Sequence, residues 1–300
     1  RAGVGSKVEV LDATDLLANA AGALGLRLGA RVVHGSANMR PPDTAAGAFY
    51  LLGDSPVTGA VSAVTAGSDG TTPQDQDYIG AFNLLDTILD VSLLAVPGVG
   101  SEAVADAGMN YCRNQRPLSD IFFIADMASQ DIGLTDAEQW RDAITTPNSY
   151  GAVYFPWLLM LDPRGGPEPI PVPPSGYVAG LYARTDAQRG VWKSPAGVQA
   201  AVGGTVGLVT ELTDKQQGEL NVHPKSVSVI RRFPASGIVL WGARTMSSDP
   251  EYNYISVRRM AIFLRVSIFN GIQWAVFEPN DEPLWAQIRL NVGAFMQDLF

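Results

Sequence analysis

Residues 90–126, DVSLLAVPGVGSEAVADAGMNYCRNQRPLSDIFFIAD, contain the alternation that decides the fold. An apolar run, VSLLAV, is followed by a glycine-rich turn, by a helix that we place at Glu102–Asn114, and by a second apolar run, IFFIA. Apolar strands that alternate with helices are typical of a parallel sheet with helices on both faces. This stretch therefore predicts an α/β domain.

The same alternation extends to both sides of this stretch. Before it we predict a helix at about Asp77–Thr87, and after it a helix at about Asp136–Ile144 and one apolar strand, AVYFPWLLML. Later strands are predicted at SVSVI, IVLW and WAVF. We expect VSLLAV, IFFIA and IVLW to pair in parallel within one sheet. The result is an α/β core at residues 76–300, with a mostly parallel sheet covered by helices.

Three further helices are predicted in the second half of the core. Ser175 is the expected N-cap of the first, which carries Gly176, Gly180 and Ala183 along a face small enough for close packing. The second runs over residues 255–270 and ends at Gly271. The third begins at Asp281, and its apolar face is formed by Leu284, Ile288, Val292, Phe295 and Leu299.

Residues 1–70 have a different composition from the core. They are rich in Ala, Gly, Thr and Ser, with short apolar pieces such as VEV, ARVV and VSAV. Short apolar pieces between turn residues predict short strands and loops. We therefore expect a smaller, β-rich, irregular N-terminal domain, separated from the core by the turn-rich segment GSDGTTPQDQD.

Charge and hydropathy exclude several classes of partner. The net charge of −9 argues against binding to a nucleic-acid backbone. The longest apolar run contains Pro156 and is too short to cross a membrane. Residues 1–180 hold 9 basic and 20 acidic residues, whereas residues 181–300 hold 12 and 10. This asymmetry would suit an assembly in which the acidic first part of one copy contacts the slightly basic last part of another.

Residues that bind metals or act as nucleophiles are scarce. The chain has two histidines, His34 and His223, and one cysteine, Cys112, so a zinc site and an internal disulfide are not expected. Cys112 is interpreted as a small buried hydrophobic residue on a helix, and His223 as a loop residue. Neither a G-x-S-x-G elbow nor a phosphate-binding G-x-x-x-x-G-K-[ST] loop occurs.

One motif favours an enzyme. Gly98, Gly100 and Ala103 form a G-x-G-x-x-A pattern between a strand and a helix, and Asp126 ends the next strand, as in a dinucleotide-binding site. Against this interpretation, Pro97 stiffens the turn, and Asp126 follows Gly98 by 28 residues rather than about 20. An NAD(P)-dependent oxidoreductase that uses the GVGSEA loop is the alternative function.

A charged corner, GLYARTDAQRGVWKSPA, lies at residues 180–196. Arginine side chains suit phosphate and carboxylate groups, so the corner could be a ligand clamp. The interpretation favoured by chemistry alone is that the same residues form ion pairs within the fold, because structural ion-pair networks imitate functional clusters. The residues of the corner alone leave both possibilities open.

From its middle onward the sequence resembles the sheath proteins of contractile phage tails and contractile injection systems. The stretches that carry this resemblance follow the family's order: VYFPWLLMLDP, VPPSGYVAGLYARTDAQRGVWKSPAG, IRRFPASGIVLWGARTMSSDPEYNYISVRRM and QWAVFEPNDEPLW. Together with DYIGAFNLLDTILDVSLLAVPG they extend the resemblance over residues 76–300. NVHPKSVSV departs from the family at His223 and Pro224, and residues 1–70 resemble the family's variable, outward-facing part.

The resemblance implies a structural subunit without catalytic residues, cofactors or metals. Members of the family polymerise around an inner tube and contract to drive it through a target envelope. The implied partners are other copies of the chain, the inner tube, the baseplate and the terminator, with neither nucleic acid nor membrane insertion. Assembly would take place in the bacterial cytoplasm, followed by release of a phage tail or an injection particle.

The resemblance also suggests roles for individual residues, in bracing the core or contacting a neighbouring subunit. Arg258 and Arg259 adjoin an apolar segment, so at least one of them needs a carboxylate. Arg289, on the last helix, is the candidate for contact with the inner tube. The candidate residues are Arg184, Asp186, Arg189, Trp192, Arg244, Arg258, Arg259 and Arg289.

Two further expectations concern the ends of the chain. The last helical pattern runs to Phe300 without a cap, and family members normally carry terminal arms that add strands to a neighbour's sheet. We therefore expect a sheath core without its linking arms, which by itself forms monomers or weak oligomers. Residues 1–70 alone would support a third class of function, binding to a glycan or cell surface.

Overall fold

A computed structural model describes residues 70–129, 133–222 and 225–300. The compact unit considered below is Pro73–Phe300. The predicted β-rich domain at residues 1–70 falls outside the described residues, except for Gly70. His34, His223 and Pro224 also lie outside them.

The described residues form short strands and mostly longer helices. The strands are β1 (Leu93–Ala95), β2 (Phe122–Asp126), β3 (Gly151–Phe155), β4 (Leu158–Met160), β5 (Ile170–Val172), β6 (Gly207–Leu208), β7 (Val227–Phe233) and β8 (Gly237–Leu240). The α-helices are α1 (Asp75–Ala81), α2 (Glu102–Asn110), α3 (Leu134–Ala143), α4 (Ser175–Arg189), α5 (Asp214–Leu220), α6 (Ile255–Gly271) and α7 (Glu282–Leu299). Tighter 3₁₀ turns lie at Phe82–Leu85, Pro250–Tyr252 and Gln273–Phe277, and a π-helical turn at Tyr111–Gln115 continues α2.

Five strands form one mixed sheet in the order β1-β2-β3-β7-β8. The first four pair in parallel, which confirms the predicted α/β class and the pairing of VSLLAV with IFFIA. The predicted parallel orientation of IVLW is wrong, because β8 pairs antiparallel with β7. Only residues 234–236 connect these two strands, and Gly237 begins β8 with a φ of 69°. So short a connection allows a hairpin, whereas a parallel pair needs a crossover of a dozen or more residues.

The apolar run at residues 152–161 forms two strands rather than the single strand that we predicted. β3 ends at Phe155, and after Pro156 the chain enters β4, which pairs antiparallel with β5 and β6 in a second, three-stranded sheet. Proline lacks the N–H that a central strand must donate, so the ladder of β3 stops there. Residues 152–156 and Leu158 are buried, whereas Leu161 at the end of the run is exposed.

The core lies around β2 and β3, whose residues are all buried. Apart from Asp126 at the end of β2, both strands read as continuous apolar runs, as expected for parallel strands with both faces covered. Helices α2 and α4 contact β2. β1, at the edge of the sheet, is only half buried.

Two local predictions fail in the second half of the chain. WAVF is part of the 3₁₀ turn at Gln273–Phe277, not a strand, and Phe277 is almost fully exposed. Ser175 is the first residue of α4, and Pro174 is its N-cap. The small residues Gly176, Gly180 and Ala183 are exposed, so the close packing expected along that face does not occur among the described residues.

The last two long helices follow the predicted patterns closely. α6 ends at Gly271, and α7 begins after Asp281, whose side chain accepts a hydrogen bond from the Leu284 N–H at 3.0 Å. The rings of Phe263 on α6 and Phe295 on α7 lie 6.3 Å apart. The half-buried residues of α7 include the five that form its predicted apolar face, Leu284, Ile288, Val292, Phe295 and Leu299.

Candidate assembly site

The glycine-rich turn after β1 is tied to the rest of the sheet by one carboxylate. Asp126, at the end of β2, accepts hydrogen bonds from the Gly98 N–H at 3.1 Å, from the Ser175 N–H at 2.9 Å and from the Ser175 hydroxyl at 2.6 Å. Burial raises the pKa of Asp126, and the three hydrogen bonds oppose that shift. Asp126 therefore joins the turn before α2 to the beginning of α4.

Gly100 allows two segments of backbone to touch. A Cβ on Gly100 would lie 1.9 Å from the backbone nitrogen of Ala128, far inside van der Waals contact. The Gly100 carbonyl accepts a hydrogen bond from the Trp140 indole N–H at 2.7 Å. The space that a pyrophosphate would need against Gly100 is thus filled by the chain itself.

The start of α2 is also occupied. The Ser101 hydroxyl caps the Val104 N–H at 3.4 Å and donates to the Asp75 carboxylate at 2.5 Å. A carboxylate in this position repels phosphate, since like charges at close range are unfavourable. Gly98, Gly100 and Asp126, the residues of the oxidoreductase alternative, therefore make contacts that hold the fold together.

The charged corner at residues 180–196 has an inward and an outward part. Tyr182 and Asp186 face inward: the Tyr182 hydroxyl lies 2.6 Å from that of Tyr154, and both tyrosines are fully buried. Burial raises the pKa of both phenols, so they stay neutral. The pair links α4 to β3.

Asp186 supplies the carboxylate that the sequence requires beside one of the two adjacent arginines. Arg259 on α6 donates to both Asp186 oxygens, at 2.9 and 2.5 Å, and its guanidinium stacks on the Tyr182 ring at 4.7 Å. A two-point arginine–carboxylate contact fixes orientation as well as distance. The pair joins α4 to α6 across 73 residues of sequence.

Arg258, the neighbour of Arg259, is buried with hydroxyl and aromatic partners. It donates to the Ser149 hydroxyl at 2.8 Å, and its guanidinium lies 3.5 Å from the centre of the Tyr252 ring and 4.5 Å from that of Tyr150. Burial lowers the pKa of Arg258. The charge is held by ring faces, which attract cations.

The outward part of the corner makes weaker contacts. Arg184 donates to the Ala201 carbonyl at 2.6 Å, and Arg189 to the Gln199 side chain at 3.2 Å. Trp192 is 54% exposed. These three side chains lie on the surface, where a neighbouring molecule can reach them.

Arg244 joins the loop after β8 to two other elements. Its guanidinium donates to the Asn221 carbonyl at 3.2 Å and lies 5.7 Å from the centre of the Tyr254 ring. The loop therefore connects the end of α5 with the start of α6.

Sequence reasoning missed a third buried arginine, in addition to Arg258 and Arg259. Arg116 is 3% exposed; it donates to both oxygens of Asp120, at 2.9 and 2.7 Å, and to the carbonyls of Leu85 and Ile88. The Asp120 carboxylate raises the pKa of Arg116 above its usual value. An arginine four residues before an aspartate that directly precedes the apolar strand sequence IFFIA is the signal that could have found it.

A related contact lies beside Arg116. The Tyr111 hydroxyl donates to the Asp86 carboxylate at 2.7 Å, and burial together with this bond raises the pKa of Tyr111 to about 12. Cys112, the next residue, is fully buried, as its interpretation from sequence required, and burial raises the pKa of its thiol. This cluster fixes the end of α2 against the segment before β1.

The surface of α6, the following 3₁₀ turn and α7 carries many exposed apolar side chains. They are Val257, Phe269, Trp274, Val276, Phe277, Trp285, Leu290 and Met296. Arg289 projects from the same helical pair and forms an exposed ion pair with Glu282 at 2.9 Å. Apolar surface of this extent is typical of an interaction site.

Metal-binding clusters and membrane-spanning helices are not found in the part of the chain that the structure describes. Among the described residues, no group of three or more His, Cys, Asp or Glu is placed to hold a metal ion. None of the helices in the described ranges has the length and hydropathy needed to span a membrane.

Comparisons with known proteins agree on one family. The family model described as "Phage tail sheath protein central domain" matches residues 71–246. A putative prophage major tail sheath protein of Pseudomonas aeruginosa (strain UCBPP-PA14) is 32% identical over 129 residues, which cover 42% of this chain and 33% of the relative. The tail sheath protein of Enterobacteria phage T4 is 28% identical over 128 residues, 42% of this chain and 19% of that protein.

Solved sheath structures share the fold. The PVC sheath complex of an extracellular contractile injection system, in the contracted state, is 31% identical with a TM-score of 0.63, over 74% of this chain and 58% of that one. The helical sheath of the anti-feeding prophage, also contracted, is 28% identical with a TM-score of 0.61, over 77% and 60%. The matched region thus makes up a third or less of the two curated relatives and less than two thirds of the solved chains.

Proposed function

The chain belongs to the phage tail sheath family, and we propose that it is a structural subunit of a contractile sheath, which polymerises around an inner tube and contracts to drive that tube through a target envelope. The family match over residues 71–246 carries this proposal. The likeness to two contracted sheaths, each over about three quarters of the chain, supports it further.

The proposed role involves no catalysis and no cofactor. The family points to a structural role, and the residues that most resemble a cofactor site, Gly98, Gly100 and Asp126, are engaged in contacts within the chain. The comparisons lend no support to an oxidoreductase.

The candidate residues divide between two structural roles under this proposal. Asp186, Arg244, Arg258 and Arg259 brace the core, since their partners lie within the chain. Arg184, Arg189 and Trp192 form a surface for a neighbouring subunit, since they are exposed with few partners.

The proposed partners are other copies of the chain, the inner tube, the baseplate and the terminator. Arg289 and the exposed apolar residues of α6 and α7 face the tube in this proposal, because their surface combines a cationic group with apolar area. Assembly would take place in the bacterial cytoplasm, and release would follow as a phage tail or injection particle. Residues 1–70 would form a variable domain on the outside.

Electron microscopy of particles tests the proposal. The natural gene that encodes this chain is co-expressed with its genomic neighbours, and the lysate is searched for rigid tubes that react with an antibody against residues 73–300. We expect labelled sheaths of two lengths, extended and contracted. Saturable binding of NAD or NADP by the purified protein, with no tubes, would instead favour the oxidoreductase.

A further inference from the structure

Two arginines of α6 meet at one phenol oxygen. The Tyr150 hydroxyl oxygen accepts a hydrogen bond from Arg265 at 3.1 Å and another from Arg258 at 3.4 Å. Arg258 is buried, with 7% of its surface exposed, whereas Arg265 is exposed. Arg265 also donates a hydrogen bond to the Leu118 carbonyl at 3.1 Å. Two positive charges are thus held close together, one at the surface and the other buried beneath it.

No carboxylate of a described residue lies within ion-pair distance of either guanidinium. Within the described ranges, the partners of Arg258 and Arg265 are hydroxyls, rings and a carbonyl. Arg259, one position along the same helix, has the two-point contact with Asp186. Asp249 acts on Arg258 only at longer range, and its carboxylate accepts the Glu251 N–H at 2.9 Å.

The phenol adds a third donor. Both arginine bonds use lone pairs of the Tyr150 oxygen, so the hydroxyl proton needs an acceptor elsewhere. Two guanidinium groups and one hydroxyl therefore lie side by side, and the partner that suits their remaining donors is an acceptor, best an anion. Arginine forks match carboxylates in shape and bind them with charge-assisted hydrogen bonds.

We propose that Arg258, Arg265 and the Tyr150 hydroxyl form a binding site for a carboxylate side chain of a neighbouring copy of this chain in the assembled sheath. This inference rests on the proposed sheath function. A second copy supplies the right chemistry, because the chain has 30 acidic residues against 21 basic ones and 20 of the acidic residues lie at positions 1–180. One carboxylate would bind the exposed Arg265 first and neutralise the buried Arg258 behind it.

A cross-linking experiment identifies the occupant directly. The substitution Arg265→Lys keeps the positive charge and supplies an amine, which a zero-length carbodiimide joins to any carboxylate in contact. Sheaths assembled from this variant are cross-linked, digested and analysed by mass spectrometry. We expect an inter-chain product between position 265 and an acidic residue of a second copy, absent from unassembled protein. The Lys215–Glu219 pair, 3.8 Å apart within one helix, provides a positive control for the reaction in every sample.

A charge reversal measures the contribution of the site to assembly. Arg265→Glu should raise the protein concentration required for sheath formation about tenfold, the equivalent of one moderate contact. Lys215→Glu, the same charge change at a side chain that is 88% exposed, should leave it unchanged. Unfolding curves of both variants establish that the fold is retained.

The outcomes separate this inference from the sheath proposal. If the natural protein forms no sheath with its neighbours, the proposed function fails. If it forms sheaths but position 265 gives no inter-chain product while the control pair reacts, the proposed carboxylate-binding site is wrong. The proposed sheath function is then unaffected. Assembly by Arg265→Glu at the same protein concentration as the natural protein would lead to the same conclusion.

Discussion

Replacing Gly100 by alanine is the sharpest test of the structural interpretation of the glycine-rich turn. The new Cβ would lie 1.9 Å from the Ala128 nitrogen and 2.2 Å from its Cα, whereas unstrained contacts lie at about 3.5–4.0 Å. Both atoms belong to backbone, so no side chain can rotate away. The two segments must separate by roughly 1.5 Å, which disturbs the Asp126 hydrogen bonds beside them.

The expected loss of stability is large for so small a change. Overpacking against rigid backbone costs about 3 kcal/mol or more of unfolding free energy. At about 2–4 °C per kcal/mol for a unit of this size, the melting temperature would fall by roughly 6–12 °C. Urea titration followed by tryptophan fluorescence, together with thermal unfolding, measures both quantities.

Gly180→Ala provides the matched control. Gly180 lies in α4, and a Cβ added there would meet no atom of the described residues within 4 Å, so alanine adds helix propensity without a clash. We expect a gain of about 0.5–1 kcal/mol. If Gly100→Ala proves as stable as the natural protein while Gly180→Ala behaves as expected, the close approach at Ala128 is not real and the turn regains room for a ligand.

Three further predictions concern buried polar groups. Asp186→Asn, which leaves Arg259 without its carboxylate, should cost about 2–4 kcal/mol in a urea titration; a loss below about 0.5 kcal/mol would show that the pair contributes nothing. Tyr154→Phe and Tyr182→Phe should each cost about 1–2 kcal/mol, and the double variant should cost less than their sum, because each single change strands the other hydroxyl; strict additivity in the mutant cycle would contradict the bond. Cys112 should react with a thiol reagent at about pH 8 only when urea is present, because burial raises its pKa; rapid labelling of the native protein would mean that the π-helical turn opens.

The sequence predicts those parts of the fold for which one local hydrophobic pattern is sufficient to identify the element and its buried face. The βαβ unit at residues 90–126 and the apolar face of α7 follow directly from periodicity. The sequence does not predict structural features that depend on a pairing partner far away in the chain. The break at Pro156 transfers β4 to a second sheet, and that choice depends on β5 and β6.

The polar sites show the same limit. The need for a carboxylate near Arg258 and Arg259 can be read from their apolar surroundings, but its identity as Asp186 depends on how α4 crosses α6. Ser175 has the right chemistry for an N-cap, yet the carboxylate of Asp126 engages its hydroxyl instead. Local propensity cannot anticipate a buried acceptor supplied by another strand.

The pairing of β3 with β7 governs the order in which the protein can fold. β1, β2 and β3 leave the ribosome together, but residues 227–229, which complete the ladder, follow only after α4, α5 and the small sheet have been made. Closing so long a loop slows folding. Until β7 arrives, the far edge of β3 is an unpaired, fully apolar strand, and such edges recruit other chains. In a newly made chain, aggregation therefore competes with folding at β3.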